Sequence, residues 1–133
     1  MRYMLDTNIC IYAMKDKYPA LSKKLFQIPP SDIFISSVTV SELEYGCSKS
    51  NWGNRSRNVM NLFLSAFTIL PFDEKDARIA GRVRAELMKS GTPIGPYDIQ
   101  IAAQGLSRGL TVVTHNTKEF ERIPELKLED WVL

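Results

Sequence analysis

The 133-residue sequence has one histidine, His115, and two cysteines, Cys10 and Cys47. That leaves no His/Cys donor set for a tetrahedral zinc site. It also argues against chemistry that needs paired imidazoles. Two cysteines do not make a disulfide framework. Cys10 lies in Ile9-Cys10-Ile11, and Cys47 follows Val40 and Leu43 at helical spacing, so both read as small buried hydrophobes. No apolar run approaches the roughly 18 residues of a membrane span. Met1-Arg2-Tyr3-Met4-Leu5-Asp6 places an acid where a signal peptide would continue its apolar stretch, so a cytoplasmic protein is expected. The charge excess is small as well. A net charge of +2 permits a nucleic-acid partner without demanding one. There are no repeats and no low-complexity tract. With 44% apolar and 24% charged residues, the chain reads as one globular domain over residues 1–133.

What is present is an alternation of short apolar strands and amphipathic helices. Strands are predicted at Tyr3–Leu5, Ile33–Ile35, Thr68–Leu70, Leu110–Val113 and Leu126–Leu128. Helices are predicted at Asn8–Met14, about Ala20 to Gln27, and around Val40, Leu43 and Cys47 to near Ser50. Asn54–Phe67 follows, with Val59, Leu62, Phe63 and Ala66 as its stripe. Asp73–Lys89 carries Ala77, Ala80, Val83 and Leu87 on one face. Asp98–Ser107 carries Ile99, Ala102, Ala103 and Leu106 and stops at Gly109, and a short helix covers about Lys118 to Arg122. This pattern indicates a three-layer α/β/α sandwich around a short, mainly parallel sheet. In such sheets, sites form beyond the carboxyl ends of the strands.

The residues at that edge direct attention to acids. Asp6 follows the first strand and alone reads equally well as a helix N-cap. Thr39 and Glu42 match a capping box, yet Glu42 shares a face with Val38 close to the apolar stripe. Asp98 is expected in the first turn of its helix, where the dipole favours an acid, and Glu42 in the first turn of another. Asn116 follows the strand ending at Val113-Thr114 and alone is a turn residue; Glu119 alone is a surface acid. If Asp6, Glu42 and Asp98 converge, each like-charge pair about 4 Å apart costs roughly 4 kcal/mol at an effective dielectric of about 20. Such acids share protons or hold a cation. An all-oxygen donor set suits magnesium, or manganese in its place, and such an ion serves phosphodiester hydrolysis.

Four motifs in order resemble those of the PIN-domain ribonucleases, and among them the VapC toxins of bacterial toxin–antitoxin pairs. They are Tyr3-Met4-Leu5-Asp6-Thr7-Asn8, then Ile35-Ser36-Ser37-Val38-Thr39-Val40-Ser41-Glu42-Leu43-Glu44-Tyr45-Gly46. Gly91-Thr92-Pro93-Ile94-Gly95-Pro96-Tyr97-Asp98 with Ile101-Ala102-Ala103 is the third. Val113-Thr114-His115-Asn116-Thr117-Lys118-Glu119-Phe120 with Ile123-Pro124 and Glu129-Asp130-Trp131 is the last. The resemblance implies that Asp6 and Asp98 bind the metal, with Glu42 as the third acid. It implies an amide, Asn116, where much of the family has a fourth acid, and Glu119 as its replacement. Thr7 and Thr114 would fix carboxylate rotamers.

The implied activity is magnesium-dependent cleavage of structured RNA, a tRNA or an rRNA loop, leaving a 5′-phosphate and a 3′-hydroxyl and stopping translation. The implied partners are the RNA, a VapB-like antitoxin that brings a basic side chain to the acids, and a second copy of the chain. Lys15, Lys17, Lys23, Lys24, Lys49, Arg55, Arg57, Arg82, Arg84 and Lys89 are the candidate RNA contacts, Arg84 first. Leu62, Phe63, Phe67 and Trp52 are candidates for an interface, with core packing preferred for the first three. Another PIN-type RNA-processing or flap nuclease, or a non-catalytic PIN-fold binding module, stays open; intact Asp6, Glu42 and Asp98 oppose the latter. A receiver-like or phosphatase-like protein needs paired acids after the first strand, and Leu5-Asp6-Thr7-Asn8 has one.

Overall fold

Five strands form one sheet: β1 (Tyr3–Leu5), β2 (Ile33–Ser36), β3 (Thr68–Leu70), β4 (Thr111–Val113) and β5 (Leu128–Glu129). The computed structural model describes residues 1–50 and 53–133, so Trp52 lies outside the described residues. The strand order is β3-β2-β1-β4-β5 and every pairing is parallel. Leu5 pairs with Ile35 on one side and Val113 on the other, so β2, β1 and β4 end together. The strand order changes direction between β1 and β4, and the clefts of open parallel sheets lie at that kind of switch point.

The helices are α1 (Thr7–Met14), α2 (Pro19–Gln27), α3 (Ser37–Lys49) and α4 (Gly53–Leu64), then α5 (Glu74–Lys89), α6 (Pro96–Arg108) and α7 (Thr117–Phe120). Alternate strand residues feed two cores, as a sheet covered on both faces requires. Met4 and Val112 pack with Val83, Leu87, Ile101 and Phe120 on the α5–α6–α7 side. Tyr3, Leu5, Ile33, Ile35 and Val113 pack with Ile9, Leu21, Leu43 and Met60 on the side of α1–α4. Gly105 lets α6 close on β4: a Cβ there would sit 2.7 Å from Val112 Cγ2, a branched side chain with no room to move.

Local chemistry sets the helix ends. Asp6 caps α1, its side chain accepting from the Ile9 amide; Ser36 caps α3 through Val38. Asp73 and Asp76 form a reciprocal capping box at α5. Pro96 opens α6, and Gly109 closes it at φ 63°.

Four local expectations change, the simplest being that β5 lies at Leu128–Glu129 rather than Leu126–Leu128. Thr39 is not a cap, because Ser36 starts α3; Thr39 is fully buried and Glu42 lies in the second turn, not the first. Helix α4 ends at Leu64 rather than Phe67, and its inward stripe is shifted by one residue. Met60 is buried, while Phe63, Leu64 and Phe67 pack against the same core. Val59 and Leu62 face out, 46% and 77% exposed, so Leu62 is no core residue. Both candidate stripes keep helical spacing, and tertiary contact decides between them. Ala77 is exposed on α5, leaving Ala80, Val83 and Leu87 inward.

Candidate active site

Four acids, Asp6, Glu42, Asp98 and Glu119, lie close enough beyond the carboxyl ends of β1 and β4 for Asp6 and Asp98 to feel the charges of the others. Asp6 ends β1 and is only 3% exposed. Its Oδ1 accepts from the Ile9 amide at 2.8 Å, and the Thr114 hydroxyl at the end of β4 also bonds its carboxyl. Burial raises the Asp6 pKa from 3.8 to about 6. The hydrogen bonds from Thr114 and Ile9 oppose that rise, and the charges of Asp98 and Glu42 add to it. Asp98, half-buried in the first turn of α6, is raised to about 6 as well, by burial first and then by Glu119 and Glu42. The charges acting most on both groups are therefore carboxylates.

Glu42 reaches this group from α3. The Thr7 hydroxyl donates to its Oε1 at 2.6 Å. With its only proton so used, Thr7 Oγ1 is left to accept from Thr39, 3.1 Å away. Two hydroxyls in series thus orient one carboxylate. Thr39 is the functional residue the sequence reading missed. Its spacing of three from Glu42 put both on one helix face, and that was the available signal.

Asn116 takes part through its backbone. Its amide donates to Thr114 Oγ1 at 2.9 Å, steadying the hydroxyl that holds Asp6. Its side chain is exposed and makes no hydrogen bond among the described residues. Glu119, half-buried in α7, is the acid whose charge bears most on Asp98.

The donor set fits a hard divalent cation. It is all oxygen, carries excess negative charge, and holds two carboxyls whose ionised forms are disfavoured without a counter-charge. Among the described residues, no three His, Cys, Asp or Glu side chains close around a single point.

A groove of about 570 Å³ opens beside Glu42, between α1, α3 and α4. Ile11, Met14, Val59 and Met60 give it an apolar lining, and Lys15 and Arg55 also border it. Arg57, Lys24 and Lys49 do not line this groove. Arg57 pairs with Glu44 at 2.7 Å, Lys24 lies over Trp131 and Lys49 over Tyr45. Arg84 borders a separate cleft with Leu87, Pro93 and Pro96.

Comparison with known proteins gives a consistent result. The family model of the PIN domain matches residues 3–126. The chain is 46% identical over 131 residues to the tRNA(fMet)-specific endonuclease VapC of Salmonella typhimurium, covering 98% of each. It is 44% identical to ribonuclease VapC2 of Haemophilus influenzae, covering 99% of each. Its fold matches a chain of the DNA-bound VapBC complex of Salmonella typhimurium with a TM-score of 0.92, at 45% identity over 98% of each chain.

Proposed function

The chain belongs to the PIN-domain family, among the VapC ribonucleases, and from that premise we propose that it is the toxin endoribonuclease of a toxin–antitoxin pair, magnesium-dependent and directed at tRNA. The observation that carries this reading is the convergence of Asp6, Glu42, Asp98 and Glu119 at the switch point of the sheet, where burial and mutual repulsion raise Asp6 and Asp98 to about 6.

Asp6, Asp98 and Glu42 would hold the magnesium ion, with Glu119 completing the negative wall in place of the acid absent at Asn116. When bound, the ion supplies positive charge for the scissile phosphate and makes a nearby water a better nucleophile. The protein's own part is preorganisation. Thr114 and the Ile9 amide hold Asp6 at the strand end, and Thr7 backed by Thr39 holds Glu42. These bonds are made before substrate arrives, so the carboxylates need little rearrangement during hydrolysis.

The S. typhimurium relative is named for tRNA(fMet), and the proposed substrate is a tRNA of that kind. Cutting it would stop translation. A VapB-like antitoxin is the proposed partner, since the matching solved structure is a VapBC complex. The groove along α1, α3 and α4, apolar in lining and bordered by Glu42, would accept an apolar segment of such a partner. A basic side chain presented there would neutralise the acids that the ion otherwise serves.

The test is cleavage of total tRNA with 5′ ends mapped. Cleavage is expected to need magnesium, to stop with a chelator, and to fall about a thousandfold in Asp98→Asn, on the scale of losing a main electrostatic group. Full activity of Asp98→Asn, or of the chelated protein, would refute the assignment. No helix among the described residues is long and apolar enough to cross a membrane.

A further inference from the structure

An acid pocket repels a polyanion, so an RNA substrate needs cations and ring faces beside it. One such cluster adjoins the site and plays no part in the mechanism above. Helix α1 ends in a Schellman turn: the Asp16 amide donates to Ala13 O at 3.1 Å and the Lys17 amide to Tyr12 O at 3.0 Å. Glycine is usual at the left-handed position of this turn, but here it is Asp16, at φ 50°. That conformation costs an L-residue roughly 1 kcal/mol. The Ser22 hydroxyl steadies it, donating to Asp16 Oδ1 at 2.7 Å.

The turn folds Lys17 back so that its Nζ lies 5.0 Å from the Tyr12 ring and 5.4 Å from the Tyr18 ring. Tyr18, packed against the core on the α1–α4 side, meets Tyr12 edge-on at 5.1 Å and lies 6.0 Å from the His115 ring with the planes 50° apart. His115 follows Thr114, the residue bonded to Asp6. Asp130 Oδ2 lies 2.9 Å from His115 Nδ1 and fixes the imidazole. Lys17 and His115 are exposed and the two tyrosines half-buried. Among the described residues Lys17 has no carboxylate partner, whereas Arg57, Arg78 and Arg108 all do.

We propose that Lys17, Tyr18 and His115 form an RNA-docking subsite next to the acid pocket, where an unpaired nucleobase lies against the Tyr18 and His115 rings and Lys17 holds the adjoining phosphate. The proposal rests on the ribonuclease reading and deepens it. Ring stacking is tolerant of base identity, so the subsite orients a loop nucleotide and leaves the choice of sequence to other contacts. The left-handed Asp16 then has a reason: it is the turn that aims Lys17 at the rings.

The experiment uses labelled total tRNA. Cleavage kinetics are measured on Tyr18→Leu, Tyr18→Trp and Lys17→Gln, and binding is measured in an Asp98→Asn background so that the RNA survives. Tyr18→Leu is expected to raise KM about tenfold, more than it lowers kcat, with Tyr18→Trp recovering most of the loss. Lys17→Gln, at an exposed position that leaves the fold intact, should reduce the slope of log affinity against log salt by about 1. Wild-type cleavage with KM and salt slope unmoved by Tyr18→Leu and Lys17→Gln overturns the subsite alone. Wild-type protein that neither cuts nor binds tRNA overturns the ribonuclease reading and the subsite together.

Discussion

Two buried aspartates sit in opposite kinds of surroundings. Asp76, in the first turn of α5, is fully buried, and burial alone would raise its pKa. The Asp73 amide and the Arg108 guanidinium more than offset that, and its carboxyl is held below the usual range. Its Oδ2 accepts from Asp73 N at 2.9 Å and lies 3.3 Å from Arg108 Nη2. Asp6 is almost as buried, but its charged neighbours are Asp98 and Glu42, and its pKa rises to about 6. The charge of the first acid is offset inside the chain through its Oδ2, although its Oδ1 is buried without a hydrogen bond among the described residues, and it serves the fold. The second is under-compensated and has capacity left for something outside it. An acid left short of positive charge, in a fold that pairs its other buried aspartate with an arginine, is how a fold sustains a reactive site.

Substitutions should widen the contrast. Asp76→Ala removes half the capping box and leaves Arg108 without its buried partner, so about 3 kcal/mol of stability should be lost in urea denaturation with little change in kcat. Asp6→Asn should do the reverse. It should abolish cleavage and yet stabilise the metal-free protein by about 2 kcal/mol at about pH 7, because Asn keeps the polar contacts without the charge. A destabilised Asp6→Asn protein would break the comparison.

The pH dependence carries the same signs. The folded pKa of Asp6, about 6, lies above its unfolded value of 3.8, so the folded state holds the extra proton between them. Stability of the metal-free protein is therefore highest below the lower value and falls as pH rises through the upper one, by about 3 kcal/mol for a shift of this size. Asp76, depressed, contributes stability above its unfolded pKa that is lost on further acidification. Magnesium should then raise the melting temperature more at about pH 7.5 than at about pH 5, where the site is protonated. Equal shifts at both values would argue against the acids as the binding site.

The smallest expected effect concerns the hydroxyl pair. Thr7→Val leaves Glu42 unheld, and kcat should drop about tenfold, the loss of roughly 1.4 kcal/mol, with a melting temperature near that of the parent. Unchanged kcat would reduce Thr7 and Thr39 to packing.

Much of this was legible in the sequence. Strands β1, β2 and β4 are short continuous apolar runs, as strands buried on both faces must be, and caps and glycines marked most helix ends. Asp6, Asp98 and Glu42 stood out because each lies at the edge where parallel strands deliver a site. Other features gave no such signal. The stripe of α4 reads equally well as 59–62–63–66 or 60–63–64–67, since a rotation of one residue keeps helical spacing. Thr39 matched a capping box because Thr at i and Glu at i+3 satisfy that pattern wherever the helix begins.

By itself the sequence determined the layer order, the apolar strands and the acids at their ends, because these follow from local periodicity and residue chemistry. Only the tertiary structure decided which buried aspartate is neutralised and which is left short of positive charge. Arg108 reaches Asp76 across a separation of 32 residues, and the Glu42 carboxylate is steered by a hydroxyl 35 positions away. Electrostatic energy depends on distance in space, and folding alone sets that distance.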